Sequence, residues 1–180
     1  MHRRFGFTIV ELLIVIVVIA ILVGISVIAF VNIPKQARDS QRSEGVASIA
    51  KALELYYMDN GSYPSGKCVT GCRINTGWST TNDDSWKYLE EKLVPKYVSS
   101  LPTDPKPSIG LSPLSTSAQG YAYFSNSSGV YCGAEANQMY ILVYGFESSA
   151  NVNNLSGACT KNALGPYSGK SNYRVAEGGQ

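Results

Sequence analysis

The chain has 180 residues, 44% of them hydrophobic, and a formal charge of +2; that length suits one domain with a tail and is cramped for two. Arg3 and Arg4 supply the excess, because without them the basic side chains equal the 13 acidic ones, and a near-neutral body lacks the clustered Lys and Arg that obligatory nucleic-acid binding needs. The single histidine is His2, so the body has no imidazole for general-base catalysis, a zinc site or a Ser-His-Asp triad, which argues against an enzyme.

Residues 1–6, MHRRFG, are short, basic and end in glycine, and residues 7–31, FTIVELLIVIVVIAILVGISVIAFV, are almost wholly apolar. As a helix that run extends about 37 Å, enough to cross a hydrocarbon core with some tilt. Arg3 and Arg4 ahead of it orient the N-terminus to the cytoplasm and the body to the outside. A secretory signal has a shorter, uncharged apolar region. A plain anchor accounts for the apolar run but not for Glu11, since an acid at that depth costs roughly 2.5–3.5 kcal/mol on insertion scales and marks a function.

The stretch Gly6-Phe7-Thr8-Ile9-Val10-Glu11 resembles the prepilin cleavage motif of the type IV filament superfamily: a basic leader ending in Gly, then Phe, then Glu, then an unbroken apolar run. The resemblance implies that a prepilin peptidase cuts between Gly6 and Phe7, that the Phe7 amine is methylated, and that Glu11 pairs with the Phe7 amine of a neighbouring subunit during assembly. Methylation keeps the amine's charge, and the pairing joins two otherwise isolated charges. It further implies a leader at 1–6 and a transmembrane, later filament-core, helix at 7–34. The precursor would be held N-in, C-out in membrane lipid, pass to an inner-membrane assembly platform, and end in a homo-oligomeric helical filament outside the cell. Many members carry proline where this chain has Ile28, and Pro34 comes six residues later. Gly24 and Pro34 are therefore the candidate weak points of the helix.

Helical pattern continues over residues 35–60. Val46, Ile49, Ala50, Leu53 and Tyr57 fall on one face, while Lys35, Arg38, Asp39, Arg42 and Glu44 are polar and precede that stripe. Asn60-Gly61 stops the helix. The run ALELYYMDNGSYPS, about 50 residues beyond the cleavage motif, again resembles the superfamily.

Residues 61–180 read as the globular head. Residues 61–119 form a turn-rich excursion with one short helix, capped by Asp83 or Asp84, striped by Trp86, Leu89 and Leu93, and ended by Pro95. LPTDPKP at 101–107 is a connector that resembles the Leu-Pro-x-Asp-Pro stretch before the first strand of pilin-like proteins. Residues 120–147 carry strand signals at 121–124, 129–132 and 138–146, with a weaker one at 171–177. In the longest, Met139, Ile141 and Val143 alternate with Tyr140, Leu142 and Tyr144, so both faces are apolar. The fold class is α+β, type IV pilin-like: a long N-terminal helix packed by its second half on a small antiparallel sheet. Tyr56, Tyr57, Tyr63, Tyr123 and Tyr140 read as core. Asp104, Glu135 and Glu147 are scattered acids without calcium-loop spacing, and no cofactor or metal motif is present.

Cys68, Cys72, Cys132 and Cys159 allow three pairings, and disulfides are their expected state outside the cytoplasm. A zinc site would want CxxC knuckles, which are missing. We read Cys132–Cys159 as a bridge from a strand to a C-terminal loop, leaving Cys68–Cys72 to close a small loop. In the superfamily such a bridge bounds a variable surface region, here 133–158, before the C-terminal segment 159–180.

The function expected is a structural subunit of a type IV pilus serving adhesion, motility or DNA uptake. The alternatives are a pseudopilin of a type II secretion system and, from another class, a monomeric membrane-anchored binding protein. The mature N-terminus is expected at Phe7. Mass spectrometry of the exported protein tests this, and a chain beginning at Met1 or Phe30 would refute it.

Overall fold

The computed structural model describes residues 8–66, 77–115, 118–148, 153–154 and 172–177, with side chains undescribed at 25–32, 153–154 and 172–177. Helix α1 runs from Ile9 to Asn60 and is continuous through Gly24 and Pro34. By compactness the chain divides into two units, Met1–Ala37 and Arg38–Gln180.

In the first unit the described apolar side chains point outward all round the helix, from Ile9 at 84% exposure to Val17 at 48%. No face is favoured, as expected when almost every residue is apolar. In the second unit the same helix turns amphipathic. Val46, Ile49, Ala50 and Leu53 are buried and the Tyr57 ring packs against them, matching the predicted stripe. Gly61 ends the helix with φ +68°, a value glycine adopts without strain, and its N–H donates to the Tyr57 carbonyl at 2.8 Å.

The head's sheet joins β1 (Ser79–Thr80), β2 (Ala122–Phe124), β3 (Met139–Tyr144), β4 (Asn153–Asn154) and β5 (Asn172–Glu177) in the order β1-β2-β3-β5-β4. Every pairing is antiparallel except β4–β5, which is parallel. Strand β3 is buried on both faces, and its alternation sorts two cores. Tyr140, Leu142 and Tyr144 face the α1 cluster with Tyr63, Tyr121 and Tyr123. Met139, Ile141 and Val143 face a smaller cluster with Trp78, Ala122 and Ala134.

Two local expectations are corrected. The strand expected at 129–132 is absent. Tyr131 and Ala134 exchange two backbone hydrogen bonds of 3.0 Å, and Cys132 and Gly133 between them have φ +52° and +85°. Positive φ at both central positions is the signature of a tight hairpin turn, so the chain reverses where a strand was read. The second helix, α2 (Trp86–Leu93), buries Trp86, Leu89 and Leu93 as expected, but neither Asp83 nor Asp84 caps it. Ser85 occupies the cap position without a capping bond, and Asp83 instead accepts from the Ser85 backbone N–H at 2.9 Å and from its hydroxyl.

The long excursion is tied back by Asn82, whose amide donates to the carbonyls of Leu111 at 2.8 Å and Gln119 at 2.9 Å. Helix α1 approaches the rest of the head closely at Gly45, where a Cβ would sit 3.0 Å from the Tyr121 hydroxyl and 3.3 Å from the Pro102 ring. Leu53 is fully buried between helix and sheet. Leu53→Ala should lower head stability by about 2–5 kcal/mol, whereas Met58→Ala, at a site 78% exposed, should change it by no more than about 0.5 kcal/mol. Denaturant titration in detergent measures both.

Candidate functional site

The start of α1 is built by Thr8 and Glu11. One Glu11 carboxylate oxygen accepts from the Thr8 backbone N–H at 2.8 Å and from the Thr8 hydroxyl at 2.7 Å, while the Thr8 hydroxyl accepts from the Glu11 N–H at 3.2 Å. This reciprocal arrangement is a capping box: N-cap Thr and the Glu three residues on satisfy each other's otherwise orphaned donors. The acid also lies in the first turn, where the helix dipole favours negative charge. Reading Glu11 as an isolated charge therefore needs correcting, because within one chain it already holds two hydrogen bonds. The Thr-x-x-Glu spacing at residues 8–11 is the local sequence signal for this box.

A second polar site lies in the head. Arg42, wholly buried, donates to both oxygens of Asp104 at 2.8 and 3.1 Å and to Asp39 at 2.8 Å, and its guanidinium lies 3.0 Å from Glu147. Arg38 grips Glu147 through two bonds of 2.6 Å. Asp39 also accepts from the backbone N–H groups of Glu147 at 2.9 Å and Ser148 at 2.8 Å. Asp104 takes the Lys106 N–H at 2.7 Å. Bidentate guanidinium–carboxylate pairs are short, strong and geometrically demanding. Here they join α1, the 101–107 connector and the segment after β3.

The hydrogen bonds from Arg38, opposed by some burial and reinforced by Arg42, lower the Glu147 pKa to about 2. Burial pushes Asp39 up, but the donors from Ser148, Glu147 and Arg42 outweigh it and hold its pKa below the usual value. For Arg42, burial disfavours the cation, yet Asp104, Asp39 and Glu147 together raise its pKa. The sequence reading had Asp104 and Glu147 as scattered acids, and Arg38, Asp39 and Arg42 as polar residues ahead of the stripe. No local pattern relates residues 62 to 109 positions apart.

Of the other site residues expected from sequence, Arg3, Arg4, Gly6, Phe7, Cys68, Cys72 and Cys159 lie outside the described residues. Cys132 lies in the hairpin turn and is not a free thiol. A Cβ at Gly24 would meet nothing within 4 Å. Among the described residues no group of acids, cysteines and histidine could hold a metal ion. Nor is any helix among them long and apolar enough to cross a membrane; the side chains of 25–32, which continue the apolar run, are outside that set.

Residues 1–27 match the prokaryotic N-terminal methylation motif. Over 104 residues the chain is 28% identical to the type II secretion system core protein G of Pseudomonas aeruginosa, a match that covers 58% of this chain and 69% of that one. The protein of the same name from Pectobacterium carotovorum is 27% identical over 104 residues, covering 58% and 63%. The type IV wide pilus major component PilA4 of Thermus thermophilus is 37% identical over 69 residues, covering 38% and 53%. No solved structure matches the chain.

The depressed carboxylates set an acid limit. Stability from a lowered pKa is fully present above the unfolded value, 4.5 for Glu147, and is lost as pH falls towards the folded value of about 2. Glu147→Gln should therefore flatten the fall in denaturation midpoint across that window. An unchanged acid profile would show that the pair with Arg38 does not contribute.

Proposed function

We propose, for a chain that belongs to the superfamily of type IV pilins and type II secretion pseudopilins, that it is a structural subunit of a type IV pilus and has no catalytic activity. The observation that carries this reading is the first unit of α1. It is apolar on every side, exposed along its described length, and carries one acid, in its first turn. A helix hydrophobic all round belongs inside something, and among the described residues the α1 members of the head's apolar core begin at Val46. Lipid covers it in the precursor, and the helices of other copies cover it in the filament.

In this reading residues 1–6 are a leader removed by a prepilin peptidase between Gly6 and Phe7, with methylation of the Phe7 amine. Residues 7–34 anchor the precursor N-in, C-out and then form the filament core, with Gly24 and Pro34 as the places where it gives way. Residues 35–60 carry the head, 61–180. Cleavage frees a cation beside the Thr8–Glu11 box, and Glu11 becomes the counter-charge for the Phe7 amine of a neighbouring subunit at the assembly platform. Cys132–Cys159 bounds the variable loop 133–158, and Cys68–Cys72 closes a smaller one. Adhesion, motility or DNA uptake follows from what the exposed heads touch.

A pseudopilin role in type II secretion is the second reading. Similarity to the protein G relatives, extending over 104 residues, favours it. Electron microscopy of the producing cell separates the two, since long surface filaments belong to the first.

Glu11→Ala tests the shared core of both readings. Insertion should be unchanged or improved, because an acid leaves the apolar run. The head should fold as before. Sheared surface filament should fall at least tenfold relative to membrane-fraction protein, on the order of 1.4 kcal/mol of lost assembly free energy. Normal filament yield would refute Glu11 as the assembly residue.

A further inference from the structure

We propose that the Arg42 cluster is a load clamp: it carries tension applied along α1 into the head, at the turn where that tension enters. The inference rests on the filament reading, in which each head hangs on a core helix.

The boundary of the second unit falls at Arg38 in the chain, so Arg38, Asp39 and Arg42 occupy the first turns of the head's share of α1. Cross-ties leave these turns for points far away in the chain. Arg42 reaches Asp104, 62 residues on, and Arg38 reaches Glu147, 109 residues on. Asp39 takes the backbone N–H groups of Glu147 and Ser148, a contact that no side-chain rotation on their part can release. In the proposed clamp these three ties take an axial pull together. Further along α1 the contacts of Val46, Ile49 and Leu53 are apolar. Dispersion contacts are individually weak and non-directional, and they can be exchanged one for another as a helix slides. A bidentate ion pair is lost within a small displacement and has no neighbouring substitute.

Equilibrium stability alone does not single out such a cluster. Apolar residues of like volume often serve as well as a buried ion pair or better, whereas removing one partner is costly because it strands the other. Resistance to force is a different quantity. It follows the unfolding barrier rather than the folding free energy, and a brittle directional contact raises that barrier along the direction it faces. Arg38 is partly open to solvent, with 27% of its side chain exposed, while Arg42 and Asp104 are closed off at 0%. Water is thus kept from the tie at the centre and has limited access to the one at the rim.

The test pulls the full chain in detergent in two geometries. Non-cysteine handles are placed at Gln36 or at Met58, each against a second handle at the exposed Val130. Two altered proteins are compared with wild type: the double substitution Arg42→Met with Asp104→Leu, and the conservative Glu147→Gln. From Gln36 the lifetime at constant load should fall about tenfold in the double variant and by a smaller factor in Glu147→Gln. From Met58 both should match wild type, because load then enters at the far end of the helix. An equal loss in both geometries would overturn the clamp and leave a plain stabilising role, and so would no loss in either. Should the double variant not fold, Glu147→Gln in the two geometries decides the matter. The readout is force on single molecules, so it fails or succeeds independently of the filament yield of Glu11→Ala.

Discussion

One backbone helix has to serve two environments. Up to Gly24 its described side chains are apolar in every direction apart from Thr8 and Glu11, and from Val46 they are apolar in one direction only. Burying an exposed aliphatic side chain is worth about 1.5–3 kcal/mol, and the first unit of α1 holds a long row of them that the head's core does not include. On the filament reading, the free energy that drives assembly comes from this first unit. The head must fold on the second without competing for those residues.

Glu11 limits how that energy is used. In the single chain its carboxylate is committed to the Thr8 N–H and hydroxyl, so on the proposed reading the acid would enter lipid already carrying part of its hydrogen-bonding requirement. An internally satisfied carboxylate is less costly to place in lipid than a bare one. It can then take a cationic partner as a further contact instead of relying on that partner for all its stabilisation. On the proposed reading, a Thr-x-x-Glu box reconciles two demands that conflict for a lone acid, survival in the membrane and availability at assembly.

What was legible in the sequence follows the range of the interactions concerned. The amphipathic stripe, the span of α2 and the two-faced alternation of β3 are written in periodicities of two or 3.6 residues, the stop at Asn60-Gly61 in a local glycine signal, and the structure matches each. The turn at Cys132-Gly133 was hidden by a run of β-formers, because Tyr131 and Cys132 look like strand until the positive φ of two successive residues reverses the chain. Ser85 displaced the two aspartates at the α2 cap for a similarly local reason, with Asp83 spending its carboxylate on Ser85 itself. The Arg42 cluster was beyond reach. Three carboxylates and two guanidinium groups from three separate segments look like ordinary surface charge until the fold brings them together, and only a wholly buried arginine reveals them.

That arginine sits where an apolar residue would give the helix less definition. The contacts between a stripe of Val, Ile, Ala and Leu and a tyrosine-rich sheet are non-directional, so they define axial position less sharply than paired charges do. The first turns of the head's share of α1 are also closest in sequence to the apolar run of the first unit, so further apolar residues there would blur where the head's core ends. Charges remove both ambiguities. Asp104 and the Glu147–Ser148 backbone accept only one placement of Arg42 and Asp39 along the helix axis, and a slip of about 5.4 Å, one turn, would leave several buried charges unpaired. Each stranded partner is severely destabilising, so the penalty for misplacement is large even where the gain from correct placement is small. Gly45, one turn further on, adds to the constraint, because a Cβ there would press on the Tyr121 hydroxyl at 3.0 Å and on Pro102 at 3.3 Å. The apolar stripe holds the helix to the sheet, and the ion cluster with Gly45 fixes its position along the sheet.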